Sequence, residues 1–338
     1  MEKTKIDIIS GFLGAGKTTL IKKLLKDAFQ GEQVVLIENE FGEIGIDGGF
    51  LKEAGIQIRE MNSGCICCSL VGDFGASLKE VISKYHPDRI LIEPSGVGKL
   101  SDVIKAVQGV AEETGLVLNS YTTVVDAKKC KMYMRNFGEF FNNQVEYAGA
   151  IIMSRTDIVD EAKAQAAMEL LREINPKAAI ITTPIEKLEG AKILEVMEHP
   201  VSLEQEMMEE EVCPECGHVH EHGEHHHHDH DHDECGCGHD HHHHHHADEV
   251  FTSWGRETIK KYTRENLEKI LETLSETEEY GIILRAKGML PAEDGTWIYF
   301  DMVPEETEIR SGAPEYTGRL CVIGSKLNED KLAELFGL

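Results

Sequence analysis

Short apolar runs alternate with amphipathic stretches along the first 203 residues. Runs of this kind are typical of buried strands, and the stretches between them have the apolar spacing of helices. The predicted strands are residues 5–9, 33–38, 55–60, 89–93, 117–126, 149–153 and 179–182. Helices are predicted at residues 18–29, 70–85 and 160–174, with further helical segments between the later strands. This order predicts an α/β domain over residues 1–203, with a mostly parallel sheet covered on both faces.

The pattern stops at residue 204 and resumes near residue 250. Residues 204–249 have no apolar periodicity and cannot bury a core, which predicts a disordered linker. Residues 250–338 predict a small α+β domain. Its expected elements are a helix at 264–275, strands at 281–287, 297–302 and 319–323, and a closing helix at 328–336 that starts at the N-cap Asn328.

The charge of the chain is concentrated in that linker. The 338 residues carry a net charge of −27, but residues 204–249 hold fifteen acidic residues and no lysine or arginine, which leaves −12 for the rest. An acidic surface repels nucleic acid and anionic lipid and attracts cations. No apolar run approaches the ~20 residues that span a membrane. We therefore expect neither a nucleic acid nor a membrane as partner.

The cysteines and the amino terminus indicate the compartment. The first predicted strand begins at Lys5, which leaves no room for a signal peptide. Without an export signal, nine cysteines are expected to be reduced, so clustered cysteines are better ligands than disulfide partners. The sequence predicts a cytoplasmic protein.

Residues 10–19 fit the phosphate-binding pattern Gly-x-x-x-x-Gly-Lys-Thr, between a predicted strand and a predicted helix. Glycines let successive backbone N–H groups turn towards phosphates, and the helix N-terminus adds a partial positive charge. Lys17 is predicted to reach the β and γ phosphates, and the Thr18 hydroxyl to ligate Mg²⁺. The predicted nucleotide-binding residues of this loop are Gly11, Gly14, Ala15, Gly16, Lys17, Thr18 and Thr19.

A second nucleotide motif is predicted where the strand at 89–93 ends. Glu93 is followed by Pro94, Ser95 and Gly96. A carboxylate at this place can hold Mg²⁺ through water, and the glycine amide can sense a γ-phosphate. Together with Lys17, Glu93 and Gly96 are the predicted catalytic residues.

A cysteine cluster, Cys65-Ile66-Cys67-Cys68, is the strongest feature outside the nucleotide motifs. Three thiols within four residues can present two or three thiolates to a borderline metal such as Zn²⁺ or Co²⁺. Buried packing cysteines and a redox role are the alternatives. Glu38 and Glu43, which flank a glycine-punctuated loop, are candidate further ligands or solvated charges. The isolated Cys130 and Cys321 are predicted to be packing residues.

A base-recognition segment is predicted at Ser154-Arg155-Thr156-Asp157, directly after a buried strand. GTPases carry Asn-Lys-x-Asp at this place, where the aspartate accepts the two N–H groups of guanine. Ser154 is shorter than the usual amide, and Arg155 replaces the usual lysine, although its planar guanidinium can also stack on a base. The segment favours guanine over adenine.

The run from Cys213 to His246 combines imidazole, thiol and carboxylate groups. Residues 204–249 contain sixteen of the eighteen histidines and four of the nine cysteines. Most imidazoles are neutral at pH 7 and can ligate Zn²⁺, Ni²⁺, Co²⁺ or Cu²⁺. We expect a metal-binding linker, in which Cys213 and Cys216 with Cys235 and Cys237 could form one closed zinc site.

Taken in order, Gly-Phe-Leu-Gly-Ala-Gly-Lys-Thr-Thr, Glu-Asn-Glu-Phe-Gly-Glu, Gly-Cys-Ile-Cys-Cys and Glu-Pro-Ser-Gly resemble the CobW-like family of metal-chaperone GTPases. These are SIMIBI-class relatives of the urease and hydrogenase nickel-insertion GTPases. Residues 284–288 and 319–324 resemble the C-terminal domain of that family. The resemblance implies GTP hydrolysis coupled to delivery of Zn²⁺ or Co²⁺ to a client metalloprotein. It also implies that Cys65, Cys67 and Cys68 are metal ligands, with Glu38 and Glu43 as possible partners.

The resulting hypothesis is a GTP-gated metallochaperone with Mg²⁺ at the nucleotide. A metal store based on the His-rich segment and an ATP-using kinase or ATPase with structural zinc are the alternatives. The sequence leaves open the metal, the client and the oligomeric state, a homodimer included.

Overall fold

The computed structural model describes residues 3–38, 57–60, 71–199, 252–304 and 306–338. The predicted linker at 204–249, the cysteine cluster and Glu43 lie outside these ranges. In the part of the chain that is described, no helix is long and apolar enough to cross a membrane.

Seven parallel strands of the described residues form the sheet of the first unit. They are β1 Lys5–Gly11, β2 Val34–Glu38, β3 Gln57–Glu60, β4 Arg89–Glu93, β5 Val117–Asp126, β6 Ala150–Ser154 and β7 Ala179–Ile181, in the order β3-β2-β4-β1-β5-β6-β7. The predicted parallel sheet is confirmed, and each predicted strand lies within about two residues of an observed one. The first strand, β1, lies in the middle of the sheet, and six of its seven residues are buried.

In the described part of this unit, six helices cover the two faces of the sheet. They are α1 Lys17–Asp27, α2 Val71–Tyr85, α3 Leu100–Thr114, α4 Cys130–Glu146, α5 Glu161–Ile174 and α6 Gly190–Glu198. One face is covered by α1 and α6, whose apolar residues share a core with Ile9 and Leu36. The helices α2 to α5 cover the other face, around Ile8 and Ile92. The result is the three-layer arrangement that the alternating pattern predicted.

Five antiparallel strands form the sheet of the C-terminal unit. They are β8 Thr252–Thr258, β9 Ile282–Pro291, β10 Trp297–Val303, β11 Glu306–Gly312 and β12 Gly318–Ser325, in the order β11-β10-β9-β12-β8. The helices α7 Arg264–Glu276 and α8 Glu329–Phe336 pack on one face. Asn328 caps α8 by accepting a hydrogen bond from the Lys331 amide at 3.2 Å, as predicted.

Two of these strands were not predicted from the sequence, so the expectation of three strands was wrong. Both β8 and β11 are edge strands and are rich in polar residues. Edge strands need not alternate between apolar and polar residues, and charged side chains there oppose aggregation. Their sequence pattern therefore resembles that of loops.

A buried charge cluster holds the amino-terminal edge of the parallel sheet, opposite the edge where residues 10–19 lie. The Arg89 guanidinium donates to Asp7 at 2.5 Å, to Glu32 at 2.7 Å and to Glu198 at 3.2 Å. Arg89 and Asp7 are almost fully buried. The cluster thus joins β1 and β4 to the segment before β2 and to the end of α6.

The contribution of Glu198 to the stability of this cluster depends on pH. Burial alone would raise the pKa of Glu198, but the hydrogen bond from Asn119 and the charges of Lys5 and Arg89 outweigh it and lower that pKa. A group whose folded pKa is lowered stabilises the protein above its unfolded pKa and loses that effect as the pH falls through the folded value. The contribution of Glu198 is therefore expected at neutral pH and lost in acid.

Replacing Arg89 tests the cluster. Arg89→Met leaves the Asp7 carboxylate buried without its cation, which should lower the free energy of unfolding by about 3–5 kcal/mol. Urea unfolding at pH 7 measures this. Lys23→Met is the matched control, because Lys23 pairs with Asp27 at a partly exposed site, where such pairs contribute about 0.5 kcal/mol or less. Equal losses in the two variants would contradict the assigned role of the buried cluster.

Candidate functional site

Three of the predicted motifs meet at the carboxyl edge of the parallel sheet. The phosphate-binding loop follows β1, residues 93–96 follow β4, and residues 154–157 follow β6. The strands β4, β1, β5 and β6 are consecutive in the sheet. Ligands of open α/β sheets bind in the crevice outside these strand ends. The structure therefore brings the predicted nucleotide-binding residues to one place.

The loop begins with a close approach to the sheet. Gly11 has φ +142, and a Cβ added there would lie 2.4 Å from the carbonyl oxygen of Val124 on β5. The Ala15 amide then closes a turn on the Phe12 carbonyl at 3.1 Å. Gly16, with φ +109, leads into α1. Side chains are excluded at the first of these glycines by space and disfavoured at the second by backbone conformation.

The start of α1 has the features of an anion site. Gly16 is its N-cap and offers no side chain to the first amides, and its first turn contains no acidic residue. These amides carry the partial positive charge of the helix, which favours a phosphate. Thr18 is half-buried and Thr19 is exposed in this first turn.

Lys17 is folded back over the loop. Its Nζ donates to the Gly11 carbonyl at 3.0 Å and lies 3.7 Å from Oε1 of Glu93. The Lys17 side chain is almost fully buried. Lys17, predicted to bind phosphate, and Glu93, predicted to hold Mg²⁺, are thus neighbours. The buried ammonium of Lys17 lies at the carboxyl end of β4.

Gly96 lies directly against the phosphate-binding loop. A Cβ added to it would be 2.8 Å from Cδ2 and 3.0 Å from the amide nitrogen of Leu13. Gln144 of α4 holds this segment, because its Nε2 donates to the carbonyls of Gly96 at 3.2 Å and Gly98 at 2.8 Å. A displacement of Gly96 towards Leu13 would therefore also displace the phosphate-binding loop.

Aromatic rings of α4 pack against the phosphate-binding loop. The Phe12 ring lies 4.5 Å from the ring of Tyr133 and 5.3 Å from that of Phe137, centroid to centroid. Both partners belong to α4, which has a non-helical residue at Phe137. The same helix thus contacts the loop through Phe12 and the Gly96 segment through Gln144.

The segment after β6 contacts the loop from the other side. Ser154 Oγ donates to the Ala15 carbonyl at 2.5 Å, and Arg155 donates to the Gly14 carbonyl at 3.0 Å. Arg155 has φ +61, and its guanidinium also forms an ion pair with the buried Asp126 at the end of β5. Asp157 is exposed. The residues that depart from the common GTPase pattern therefore bind the phosphate loop, and the aspartate remains open to solvent.

The predicted metal site is described in part. Cys65, Cys67, Cys68 and Glu43 lie outside the described residues, and Glu38 is buried at the end of β2. Glu38 is in register with Glu60 of β3 on one side and Glu93 of β4 on the other. Within the described ranges, no group of three or more His, Cys, Asp or Glu residues could hold a metal ion.

The isolated cysteines are placed as predicted. Cys130 and Cys321 are both buried. Burial raises the pKa of the Cys130 thiol to about 12, so this thiol is protonated at neutral pH and inert. Both are packing residues.

Some residues at this edge were not identified from the sequence. Asp126 and Glu60 each end a strand with an acidic group, a signal that could have found them. Gln144 gave no signal, because it lies within a helix and meets Gly96 across 48 positions of the chain.

Gly96→Ala tests the contact between the two nucleotide motifs. The added methyl group overpacks against Leu13, at a cost of about 1–3 kcal/mol. We expect about tenfold weaker binding of a non-hydrolysable GTP analogue and a smaller change for GDP, measured by fluorescence titration. Gly109→Ala is the matched control, since a Cβ at that helical position meets nothing within 4 Å. Unchanged affinity in Gly96→Ala would contradict the proposed role of residue 96.

Comparisons with known proteins agree with this arrangement. The nucleotide-binding domain described as CobW/HypB/UreG matches residues 5–182, which is more than half of the chain. The C-terminal domain of the cobalamin synthesis protein cobW matches residues 251–337.

The chain spans between 56% and 60% of the length of the first curated relatives that it matches. The zinc chaperone CobW of Sinorhizobium sp is 30% identical over 216 residues, which cover 56% of this chain and 60% of that protein. The zinc-regulated GTPase metalloprotein activator 1 of Schizosaccharomyces pombe is 24% identical over 331 residues, covering 91% and 77%. The crystal structure of the Zn(II)-bound YjiA GTPase from E. coli has 20% identity, covers 100% of this chain and 99% of its own, and gives a TM-score of 0.43. On the two domain matches, the chain belongs to the CobW/HypB/UreG family.

Proposed function

We propose that this protein is a GTP-hydrolysing metallochaperone that binds Zn²⁺ or Co²⁺ and delivers it to a client metalloprotein. The observation that carries the proposal is the contact between the phosphate-binding loop and Gly96. Gly96 follows β4, the neighbour of the strand β2 that ends at the predicted metal ligand Glu38. The family supports it, since two relatives are named as a zinc chaperone and as a zinc-regulated GTPase.

The residues of the loop fit a nucleoside triphosphate. Glycine at 11 and 16, the α1 amides and Lys17 form a cradle whose fixed charges are all positive. Thr18 and Glu93 are the oxygen donors suited to Mg²⁺, which would neutralise charge on the phosphates. Lys17 binds the β and γ phosphates, and the Gly96 amide distinguishes the triphosphate from the diphosphate.

Guanine is the base that the chain is proposed to bind. Asp157 is exposed just beyond the loop, where it can accept hydrogen bonds from the base. Ser154 and Arg155 fix the position of Asp157 through their bonds to Ala15 and Gly14. Ser154 and Arg155, which replace the usual asparagine and lysine, therefore help to position the base-binding aspartate.

Strand order supplies the proposed link from nucleotide to metal. The strands β4, β2 and β3 are neighbours, and Glu93, Glu38 and Glu60 are in register at their carboxyl ends. The chain leaves β2 directly into the segment with Glu43, and leaves β3 directly into the segment with Cys65, Cys67 and Cys68. A change at Glu93 or Gly96 therefore acts at the start of both ligand-bearing segments.

The cargo and partners follow from the ligand types. Thiolates with a carboxylate suit Zn²⁺ and Co²⁺, and the names of the relatives favour Zn²⁺. The His-rich segment would raise the local metal concentration for the cysteine site. The proposed place of action is the cytoplasm.

The double variant Cys67→Ser/Cys68→Ser tests the metal site. We expect the zinc affinity in the presence of a GTP analogue to fall by at least about 100-fold. Loss of a group that only hydrogen-bonds to a metal ligand already costs about 10–100-fold, and here two ligands are lost. Competition with a zinc-chelating dye measures this, in a background that lacks residues 213–246 so that the His-rich segment does not contribute. The affinity of the double variant for GTP should equal that of the parent protein. Competition between GTP and ATP measures this affinity.

Two outcomes would contradict the proposal. Zinc binding that is lost only when residues 213–246 are deleted would favour a metal store, which the sixteen histidines of the linker make the next candidate. Preference for ATP over GTP would favour an ATPase with structural zinc.

A further inference from the structure

The loop after β7 is held by the C-terminal unit. This loop, Thr182 to Pro184, lies at the carboxyl edge of the parallel sheet, next to the end of β6. Its partners lie in residues 315–317, which connect β11 and β12. We call Thr182, Thr183, Glu315, Tyr316 and Thr317 the interdomain clasp.

Four hydrogen bonds form the clasp. The amides of Thr182 and Thr183 both donate to the Tyr316 carbonyl, at 2.9 and 3.1 Å. Thr183 Oγ1 donates to the Glu315 carbonyl at 2.7 Å, and the hydroxyls of Thr182 and Thr317 share a bond of 3.0 Å. Both threonines of the loop are buried. Four polar groups of one loop are thus satisfied by the second unit.

Tyr316 is the anchor of the clasp. It is 5% exposed and belongs to the core between α1, α6 and the parallel sheet, although it comes from the C-terminal unit. The Arg319 guanidinium lies 4.7 Å from its ring. Glu315 pairs with Lys192 of α6 at 3.5 Å. Both sides of the clasp are therefore fixed by packing and by charge.

The clasp is continuous with the proposed nucleotide site. Ile181, the last residue of β7, pairs with Ile152 of β6, two residues before Ser154. Ser154 in turn donates to the Ala15 carbonyl of the phosphate-binding loop. Tyr316 and Ala15 also contribute to the same core cluster. The loop 182–184 thus follows β7, the neighbour of the strand β6 that leads to Asp157, the residue proposed to bind the base.

A second contact between the units is independent of this edge. Arg172 at the end of α5 pairs with Glu257 of β8 at 2.5 Å. It lies on the face covered by α2 to α5 and contributes to none of the clasp bonds. The ion pair therefore serves as a control, because it joins the two units without contacting the base side of the nucleotide site.

We propose that the interdomain clasp positions the base side of the nucleotide site, so that nucleotide binding and docking of the C-terminal unit are coupled. The inference rests on the proposed nucleotide binding. The clasp residues are positioning residues, because they act through the loop 182–184 and Ser154. By linkage, a nucleotide that favours the docked C-terminal unit must be bound more tightly when the unit is docked.

Tyr316→Ala tests the coupling in the full chain. Removal of the anchor should raise the KM for GTP and the Kd of a fluorescent GTP analogue by about fivefold or more, the range of typical couplings, and leave kcat within about twofold. Tyr316→Phe keeps the buried ring and should raise the Kd less than Tyr316→Ala does. Thr182→Val/Thr317→Val removes both buried hydroxyls together, which avoids an unsatisfied group and keeps the protein folded, and should shift the Kd in the same direction.

Two controls separate the clasp from general damage. Met197→Ala removes a buried side chain of α6 from the same core, and Glu257→Gln removes the charge from the ion pair between Arg172 and Glu257. Neither should change the Kd by more than about twofold. The reciprocal effect is measured on the parent by hydrogen exchange, where the amides of residues 313–318 should exchange at least about fivefold more slowly with the GTP analogue bound.

The results distinguish failure of the proposed function from failure of the clasp alone. A parent that binds no GTP analogue overturns the proposed function and this inference with it. A parent that binds, with unchanged Kd in Tyr316→Ala, overturns the clasp alone. Equal losses in Met197→Ala or Glu257→Gln, or unchanged exchange at residues 313–318, also overturn it.

Discussion

The close approach of Gly11 to Val124 is the constraint on which the carboxyl edge of the sheet depends. No side chain fits there, since an added Cβ would lie 2.4 Å from a carbonyl oxygen. Because the chain turns at this point, Phe12 reaches the rings of α4, and Lys17 lies over the Gly11 carbonyl beside Glu93. Leu13 lies against Gly96 for the same reason. One glycine thus brings the loop, the segment after β4 and α4 into mutual contact.

The two ends of the parallel sheet have different roles. At the amino edge the buried cluster around Arg89 and Asp7 is fully engaged with protein partners and fixes β1 against β4. At the carboxyl edge the positive groups of α1 and Lys17 face the crevice, and carboxylates end β2, β3 and β4. A rigid amino edge lets small changes at the other edge act on loops without loss of the sheet. This division suits a protein that is proposed to pass a nucleotide signal to a metal site.

Local pattern accounts for what the sequence predicted well. The strands β2 and β4 are mainly apolar on both faces, and the glycine spacing of residues 11–16 is set by backbone geometry, so both patterns are visible in the sequence. The edge strands β8 and β11 lack that apolar pattern, and the short helix α6 was missed as well. Contacts across long distances gave no signal: Gln144 meets Gly96 over 48 positions, and Thr182 meets Thr317 over 135. Such pairs depend on how whole elements pack, which one sequence does not state.

Coupling between nucleotide and metal is the central claim, and zinc affinity tests it most directly. The affinity of the full chain for Zn²⁺ is measured by dye competition with a non-hydrolysable GTP analogue, with GDP and without nucleotide. If the γ-phosphate acts through Gly96 and Glu93 on the cysteine segment, the tightest zinc site should bind about tenfold or more tightly with the GTP analogue than with GDP. Equal affinity in the three states would contradict the account.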